Sequence, residues 1–303
     1  MTACADTRYV IDKLAWMRAQ GIWPNGLRYL WTDAFGVVLL ASLHAESDER
    51  RYLDEAEWLV EQVDQVLGRK RGIRIGEAPD RDGQYFHYLA MWLYALSVLG
   101  RHIPDYRQKG LELVRQIHDA FVIPGVGVTW KMQEDLSGPC PGYGLGALDA
   151  FDGYVAYRLL DETALAREIK DMRLLIEQSA PTLVIRQDLG LGMMLWMTQF
   201  FPEESWATTQ RARCLGMLSQ MWVGTAEGGY FCREPQHQQV KFAFTNYGVA
   251  VGLQAVNAMP ERVDRLHAFF ETWRSGDHYD REAITHVMAC SSHFPGYLLR
   301  GFG

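Results

Sequence analysis

Four side chains in this sequence stand where they could exchange protons with a substrate: Asp33, Asp82, His87 and Asp149. Asp33 and Asp82 come near the start of predicted helices, so each could also serve as an N-cap or a first-turn acid. Asp149 is predicted about two turns inside a helix, where no cap is needed. A buried carboxyl there has a raised pKa unless it is partnered, and when protonated it can act as a general acid. An interhelical hydrogen bond or salt bridge is the alternative for Asp149, and for Asp152 three residues on.

His87 belongs to the segment DGQYFHYLAMWLYALSVLG, residues 82–100, which starts with polar and aromatic side chains and continues as an apolar helix. A single histidine in an apolar helix is more often a core residue than a catalyst. The neighbouring Gln84, Tyr85 and Tyr88 favour a functional role, because buried polar groups are costly unless something uses them. Both interpretations stay open at this point.

A second histidine group lies near the C-terminus, where His286, Cys290 and His293 share one helical face. This spacing superficially matches a metal site. No carboxylate or cysteine stands at a fixed spacing elsewhere, so packing or substrate contact is favoured and the sequence predicts neither a metal nor a cofactor.

Aromatic and hydrogen-bonding side chains in or beside the predicted loops are candidates for substrate binding. Trp31 and Trp130 are the best placed to stack against a sugar ring or another flat molecule. Cys232, beside Tyr230 and His237, is an ambiguous nucleophile. The full set of predicted substrate-binding residues is Trp31, Tyr85, Tyr88, Trp130, Tyr143, Tyr230, Asn246, Tyr247, His286 and His293.

Hydrophobic periodicity predicts twelve helices and hardly any alternating strand pattern. The odd-numbered helices carry a charged face that indicates contact with water; they are 7–20, 48–67, 105–122, 162–178, 203–223 and 261–275. The even-numbered helices are apolar, aromatic and rich in small residues; they are 32–46, 82–100, 142–160, 188–201, 241–259 and 283–294. Even helices inside and odd helices outside, in two concentric rings, satisfy both patterns. Each glycine in the even helices costs about 1 kcal/mol relative to alanine, which predicts close helix packing.

The connections that enter the even helices are long, whereas those that leave them are short. Long loops in compact domains often build sites, and the N-termini of helices favour negative charge. We therefore predict a cavity at the N-terminal ends of the inner helices. The long connections are 21–31, 68–81, 123–141, 180–187, 224–240 and 276–282.

Six helical hairpins with a period of about 50 residues resemble the (α/α)6 toroid of the six-hairpin glycosidase-like superfamily. The resemblance covers the whole chain and implies an all-α fold with one domain over residues 1–303. It also implies one carboxylate that protonates a leaving group or double bond and another that activates water. In the unsaturated glucuronyl hydrolases, which share this fold, two aspartates on separate inner helices do this work. Asp82 and Asp149 match them best in position, with Asp33 as a third candidate, so a glycoside hydrolase-like enzyme acting on a small carbohydrate is favoured.

Three other functions remain open. The N-acetylglucosamine 2-epimerase-like toroids use paired histidines, and His87 with His286 or His293 could take those parts in a sugar epimerase or isomerase. Linalool dehydratase-isomerase has an inner-helix histidine followed by an apolar stretch similar to residues 87–100, which suggests a lyase, (de)hydratase or isomerase acting on an apolar small molecule. A toroid that binds a ligand without chemistry is the third.

Composition excludes several classes of partner. The net charge of −7 argues against nucleic acid, and no apolar run reaches the roughly 18 residues of a membrane span. The N-terminal residues lack the pattern of a signal peptide, and the five scattered cysteines favour a reduced compartment, so we expect a cytoplasmic protein. A small-molecule substrate is the predicted partner, and homo-oligomerisation is left open.

Overall fold

A computed structural model describes residues 3–223 and 243–302, and twelve α-helices lie within them. Each of the twelve predicted helices has a counterpart, with ends that shift by up to seven residues. They are α1 (Ala3–Ala19), α2 (Leu30–Ser47), α3 (Arg50–Leu67), α4 (Phe86–Leu99), α5 (Asp105–Phe121), α6 (Asp149–Asp161), α7 (Ala166–Ser179), α8 (Asp188–Thr198), α9 (Ser205–Val223), α10 (Ala243–Ala255), α11 (Pro260–Thr272) and α12 (Ala283–His293).

The helices fall into two compact units. The middle unit is Leu27–Pro181, and the terminal unit joins the described residues up to Gly26 with those from Thr182 onward. This division by contacts does not test the prediction that residues 1–303 form a single domain. Across the described residues, no helix combines the length and the apolar character that crossing a membrane requires.

In the middle unit α4 packs between α2 and α6, and α3, α5 and α7 pack on α2, α4 and α6 respectively. Nearly all of α4 is buried, as its apolar sequence predicts. By contrast, α3 buries a single stripe of residues spaced three and four apart, such as Leu53, Ala56 and Val60, and leaves its charged face in water. The predicted alternation of buried and amphipathic helices is confirmed in this unit.

In the terminal unit α10 packs against α8 and α12, with α9 on α8, α11 on α10 and α1 on α12. Small residues allow α8 and α10 to approach closely. A Cβ atom added to Gly192 would overlap the backbone of Gly248, and one added to Gly252 would overlap the backbone of Gly192. The prediction that glycines permit close packing is confirmed at these positions.

Two short antiparallel strand pairs lie in the loops of the middle unit. β1 (Gln84–Tyr85) pairs with β4 (Lys131–Met132), and β2 (Val122–Ile123) pairs with β3 (Gly127–Val128). The first pair joins the loop before α4 to the loop before α6. It therefore fixes Tyr85 opposite Lys131 at the entrance to α4.

The side-chain amide of Gln84 holds these loops together. It is fully buried; its Nε2 donates to the carbonyls of Arg71 and Glu134, and its Oε1 accepts from the backbone N–H of Ile73. Gly72 has a positive φ of 72°, and a Cβ atom there would overlap the Gln84 amide. A glutamine that looks like the start of a helix is thus a loop anchor.

Helix α6 begins at Asp149, seven residues later than predicted (149 − 142), which corrects the expectation that Asp149 lies inside the helix. The residues before it pair with the β3–β4 connection instead. Trp130 N–H donates to the carbonyl of Gly144 over 2.9 Å, and Gly146 N–H donates to that of Val128 over 2.9 Å. Glycines have low helix propensity, so these cross-loop hydrogen bonds prevail over a helical turn.

Helix α4 likewise begins at Phe86 rather than at residue 82, because residues 84 and 85 form β1. Its N-cap position is occupied by Tyr85. Asp82, which the sequence suggested as an N-cap, is therefore not a cap of this helix.

We expect Gly252→Ala to destabilise the protein strongly, because the added methyl group would overlap the backbone of α8. Overpacking of this kind costs about 1–3 kcal/mol or more. Thermal or urea unfolding measures the loss.

Gly216→Ala in α9 is the matched control, since no atom lies within 4 Å of the added Cβ and alanine gains up to about 1 kcal/mol of helix propensity. Equal effects of the two substitutions would show that close approach of α8 and α10 does not limit stability.

Candidate active site

The first turns of α4 and α6 bring a histidine and a carboxyl group together. His87 Nδ1 lies 3.8 Å from Asp149 Oδ1, and this oxygen has no hydrogen-bond partner within the described chain. Asp149 is only 3% exposed, whereas the side chain of His87 keeps 27% of its surface exposed. We call this pair the dyad; His87 is the member that a ligand can touch, with Asp149 behind it.

Burial shifts the two pKa values of the dyad in opposite directions. Desolvation raises the pKa of Asp149 to about 8, and hydrogen bonds from the backbone N–H groups of Asp149 and His87 oppose that shift. Desolvation lowers the pKa of His87 to about 3. Both effects disfavour charge, so at neutral pH the dyad contains a protonated carboxyl and a neutral imidazole. It holds one proton donor and one proton acceptor.

Asp149 also has a structural reason to be in this place. The first N–H groups of an α-helix have no partner inside the helix. The backbone N–H groups of Asp149 and His87, at the starts of two helices, lie close enough to the Asp149 carboxyl to oppose the desolvation that raises its pKa. Gly146 leaves the space that this requires, because a Cβ atom there would overlap Asp149 Oδ2.

A second carboxyl group, Asp152, follows in the first turn of α6 and is half-buried. Desolvation and the nearby charge of Asp149 both raise the pKa of Asp152. Because two neighbouring acids resist ionising together, this side chain is a second candidate for a protonated carboxyl.

Aromatic rings surround His87 on three sides. The Tyr85 ring stacks on the imidazole with 5.5 Å between centroids, the Tyr88 ring meets it edge-on at 4.5 Å, and the Trp31 ring lies at 5.9 Å. Trp31 is buried, and its indole N–H has no acceptor within the described residues. These rings cover much of the imidazole, and this partial desolvation lowers the pKa of His87.

The aromatic group continues outward along the β1–β4 pair. Trp130 lies nearly parallel to Tyr85 with 5.9 Å between ring centroids, and Tyr143 meets Trp130 edge-on at 5.4 Å. Trp130 is 41% exposed, so one face of this group is open to solvent. A flat or ring-shaped molecule could stack there.

Asp82 and Asp33, the other predicted catalytic acids, do not join the dyad but form ion pairs. Asp82 pairs with Arg74 and accepts the backbone N–H of Gly76 over 3.2 Å. Asp33 lies in the first turn of α2, as predicted, and its carboxylate is 3.4 Å from the guanidinium of Arg28, both buried. Their positions support structural roles in holding the loop before α4 and the start of α2.

The remaining predicted site residues in the described chain belong to the terminal unit. Nε2 of His286 lies 2.9 Å from the backbone carbonyl oxygen of Asp280. Because a carbonyl oxygen only accepts, Nε2 is the donor and carries the proton. The His293 ring lies between those of Tyr9 and His267. Tyr247 lines a cavity with His286, and Asn246 is buried in α10. Tyr230, Cys232 and His237 lie outside the described residues.

The spacing of His286, Cys290 and His293 does not gather metal ligands. Within residues 3–223 and 243–302, no three histidine, cysteine or acidic side chains are placed to hold a metal ion together. Cys290 is fully buried and forms no disulfide.

Sequence reasoning missed two contributors to the site. The hydroxyl of Tyr29 lies 2.5 Å from that of Tyr88, and Glu77 lies 3.2 Å from the ammonium group of the buried Lys131. Tyr29 could have been found as an aromatic residue two positions before Trp31. Glu77 gave no signal, because nothing in the charged loop around it indicates which acid turns inward.

The comparison with solved structures shows the class of fold, which is the all-α (α/α)6 toroid. It superposes on a sugar epimerase from a ruminal bacterium with a TM-score of 0.57 and 11% identity, over 86% of this chain and 74% of that one. A family 76 glycoside hydrolase from a bovine Bacteroides thetaiotaomicron strain matches with a TM-score of 0.58 and 13% identity, over 90% and 70% of the two chains. A cellobiose 2-epimerase from Bacillus thermoamylovorans matches with a TM-score of 0.54 and 10% identity, over 86% and 74%. No family model and no curated protein sequence matches the chain.

At such low identities the structural similarity shows the fold alone, and the predicted toroid is confirmed. The similar structures are named as enzymes that act on carbohydrates. The residues that could catalyse a reaction in this chain must therefore be identified from its own side chains.

Asp149→Asn should flatten the pH dependence of stability above pH 6.5. The carboxyl stays protonated in the native protein up to about pH 8, whereas in the unfolded chain it ionises at the ordinary aspartate pKa of 3.8. The unfolded state then binds fewer protons, so the stability from this group is complete below about pH 4 and is lost as the pH rises to about 8. Between pH 6.5 and 8 the loss should be on the order of 1–2 kcal/mol. Urea unfolding at both pH values measures it.

His87 does not disturb this measurement, because its lowered pKa affects stability only below about pH 6.5. Asp54→Asn, on the exposed face of α3, is the control and should keep the wild-type pH dependence. An identical pH slope in Asp149→Asn and wild type would contradict the raised pKa.

Proposed function

We propose that the protein is an acid/base enzyme that acts on a small carbohydrate, with the His87–Asp149 dyad at its centre. The observation that carries the proposal is the 3.8 Å approach of a protonated carboxyl to a neutral, partly exposed imidazole inside an aromatic group. Two uncharged groups that can exchange a proton at neutral pH are what acid/base catalysis requires. The similar structures support carbohydrate as the substrate class.

The aromatic rings supply the binding surface. Sugar rings have apolar faces that stack on Trp and Tyr side chains, and Trp130 and Tyr85 present nearly parallel rings next to His87. The dyad is uncharged at neutral pH, and Asp82 and Asp33 are neutralised by arginines. This environment favours a neutral sugar over a strongly charged one.

Hydrolysis of a glycosidic bond is the first candidate reaction. Asp152, half-buried with a raised pKa, would protonate the leaving oxygen. His87 would accept a proton from the attacking water while Asp149 keeps the imidazole in place. The dyad acts here as one catalytic unit, since 3.8 Å is shorter than the roughly 5 Å or more that separates the two carboxyl groups flanking a glycosidic bond.

Epimerisation is the second candidate, and the partial exposure of His87 favours it. A single accessible neutral imidazole can remove the proton from the carbon next to a sugar carbonyl, which gives a planar enediolate and an imidazolium. Once the enediolate has turned over in the site, the same imidazolium can return the proton to the opposite face, while the Asp149 carboxyl supports the ring from behind. The acid Asp152 would then have no direct part in the reaction.

One experiment separates the two reactions. The protein is incubated with disaccharides, aryl glycosides and reducing sugars in D2O and in H2(18)O, and products are analysed by NMR and mass spectrometry. Hydrolysis puts 18O on the anomeric carbon of the sugar whose glycosidic bond is cleaved, whereas epimerisation puts deuterium on the inverted carbon. Turnover only of apolar alcohols would support the lyase or hydratase interpretation instead, and turnover of nothing, with binding intact, would support a ligand-binding toroid.

His87→Gln should lower kcat by about 100-fold or more, the usual contribution of a general acid or base. Glutamine keeps the size and a hydrogen-bonding group, so the melting temperature should change little. His102→Gln alters a half-buried histidine of the same unit that contacts His44 and should leave kcat unchanged. Equal activity of the two variants would remove His87 from the mechanism.

The pH profile gives an independent test. Activity that needs a protonated Asp149 should be level around pH 5–7 and fall as the pH rises through about 8, where this carboxyl ionises. If the reaction is epimerisation, in which Asp152 has no direct part, the fall near pH 8 should disappear in Asp149→Asn. If it is hydrolysis, ionisation of Asp152 still limits activity in that variant. A profile that rises through pH 8 in the wild type would contradict the assignment.

The remaining expectations from the sequence extend this proposal: one toroidal domain, a cytoplasmic location, no cofactor, and a small-molecule substrate rather than nucleic acid or membrane. Homo-oligomerisation stays open.

A further inference from the structure

The terminal unit contains a cavity of about 460 Å³, a volume in the range of small-molecule sites. It is bounded by α1, α10, α11, α12 and the turn before α12. Aromatic side chains form much of its lining, among them Trp16, Tyr247 and Trp273. The indole N–H of Trp273 is buried and has no acceptor within the described residues.

Two cations face this cavity without a carboxylate partner in the described part of the chain. The ammonium group of Lys13 lies 5.4 Å from the ring of Trp16 and 5.8 Å from that of Tyr9. The guanidinium of Arg274 donates through Nη1 to the backbone carbonyls of Glu271 and Trp273. Its other N–H groups remain available to a ligand.

The acids of the lining are already occupied. Asp12 pairs with Arg8 at 3.1 Å, on the exposed side of α1. The carboxylate of Asp280 accepts the N–H groups of Ser275 and Gly276 over 2.7 and 2.8 Å. These carboxylates therefore serve their own helix or turn.

The charged form of Lys13 is disfavoured by its position beside Arg274 in this cavity. Burial is the main effect that lowers the pKa of Lys13, and the charge of Arg274 lowers it further, whereas Cys290 and the Glu271 carboxylate oppose these effects. Two neighbouring cations in a partly desolvated place repel each other unless an anion sits between them. His286 contributes no charge, since burial lowers its pKa to about 4, and its protonated Nε2 leaves Nδ1 as an acceptor.

We infer that this cavity binds a small ring-shaped organic anion, whose carboxylate or phosphate is held by Lys13 and Arg274 while its ring stacks on Trp16 and Trp273. A monovalent carboxylate or a phosphate ester supplies the missing counter-charge, and the aromatic lining supplies the area for a flat body. The inference does not rest on the proposed reaction at the dyad.

Isothermal titration calorimetry with the full chain tests it, using glucuronate, glucose 1-phosphate, benzoate and phenyl phosphate as probes. Glucose and benzyl alcohol are the neutral counterparts. At least one anion should bind, its neutral counterpart should bind at least tenfold more weakly, and added salt should weaken the binding of the anion. The sugar and aromatic anions distinguish which ring the cavity takes.

Lys13→Met and Arg274→Gln should each weaken binding of that anion by about tenfold or more, because each removes one charge-assisted contact. Arg281→Gln is the matched control, since it removes one exposed positive charge from the adjacent turn outside the lining. Melting curves confirm that all three variants fold.

Binding of no anion, equal binding of the neutral probes, or unchanged affinity in both Lys13→Met and Arg274→Gln would each overturn the inference. His87→Gln should bind the anion as the wild type does, so a failure at the dyad and a failure at this cavity are told apart.

Discussion

The candidate site depends on the cost of placing ionisable groups out of water. Asp149 and His87 touch, yet each is more stable uncharged, because burial is the main cause of both pKa shifts. If both were charged, the free-energy cost of desolvating two ions would often exceed the Coulomb attraction between them. The backbone N–H groups of Asp149 and His87, at two helix starts, oppose part of the pKa shift of the Asp149 carboxyl. Burial nevertheless prevails, so a proton donor lies beside an acceptor.

Other ion pairs and hydrogen bonds hold the aromatic rings around that dyad. Lys131 is buried beneath the rings of Tyr85 and Tyr143, with its ammonium 4.6 and 4.8 Å from their centres, and Glu77 neutralises it at 3.2 Å. The Gln84 amide joins the two loops that carry these rings. A buried amide or ammonium is costly unless satisfied, so these polar groups fix one arrangement of the loops. The same contacts position the stacking surface beside His87.

The fold could be predicted from the sequence because periodicity and burial are local properties. The apolar sequence of α4 predicts that it is buried, and the apolar residues spaced three and four apart in α3 predict one buried face. The site could be predicted only in part. His87, Asp149 and their aromatic neighbours were found as residue types near helix starts, but the start of α6 was misplaced because hydrogen bonds to a distant loop decide it. The partner of Asp82 was equally invisible, since the ion pair with Arg74 forms only when the intervening loop folds back.

The charges of the two units point to different ligands. In the described residues around the dyad the acids are protonated or paired with arginines, so an added negative charge would raise the pKa of Asp149 still further. Neither Lys13 nor Arg274 forms an ion pair within the described residues, and the charge of Arg274 lowers the pKa of Lys13, so a neutral ligand would leave these two like charges without an ion-pair partner. Each cluster therefore discriminates against the ligand that suits the other. Discrimination here comes from uncompensated charge rather than shape, which is why salt concentration should affect binding in the terminal unit and leave sugar binding in the middle unit almost unchanged.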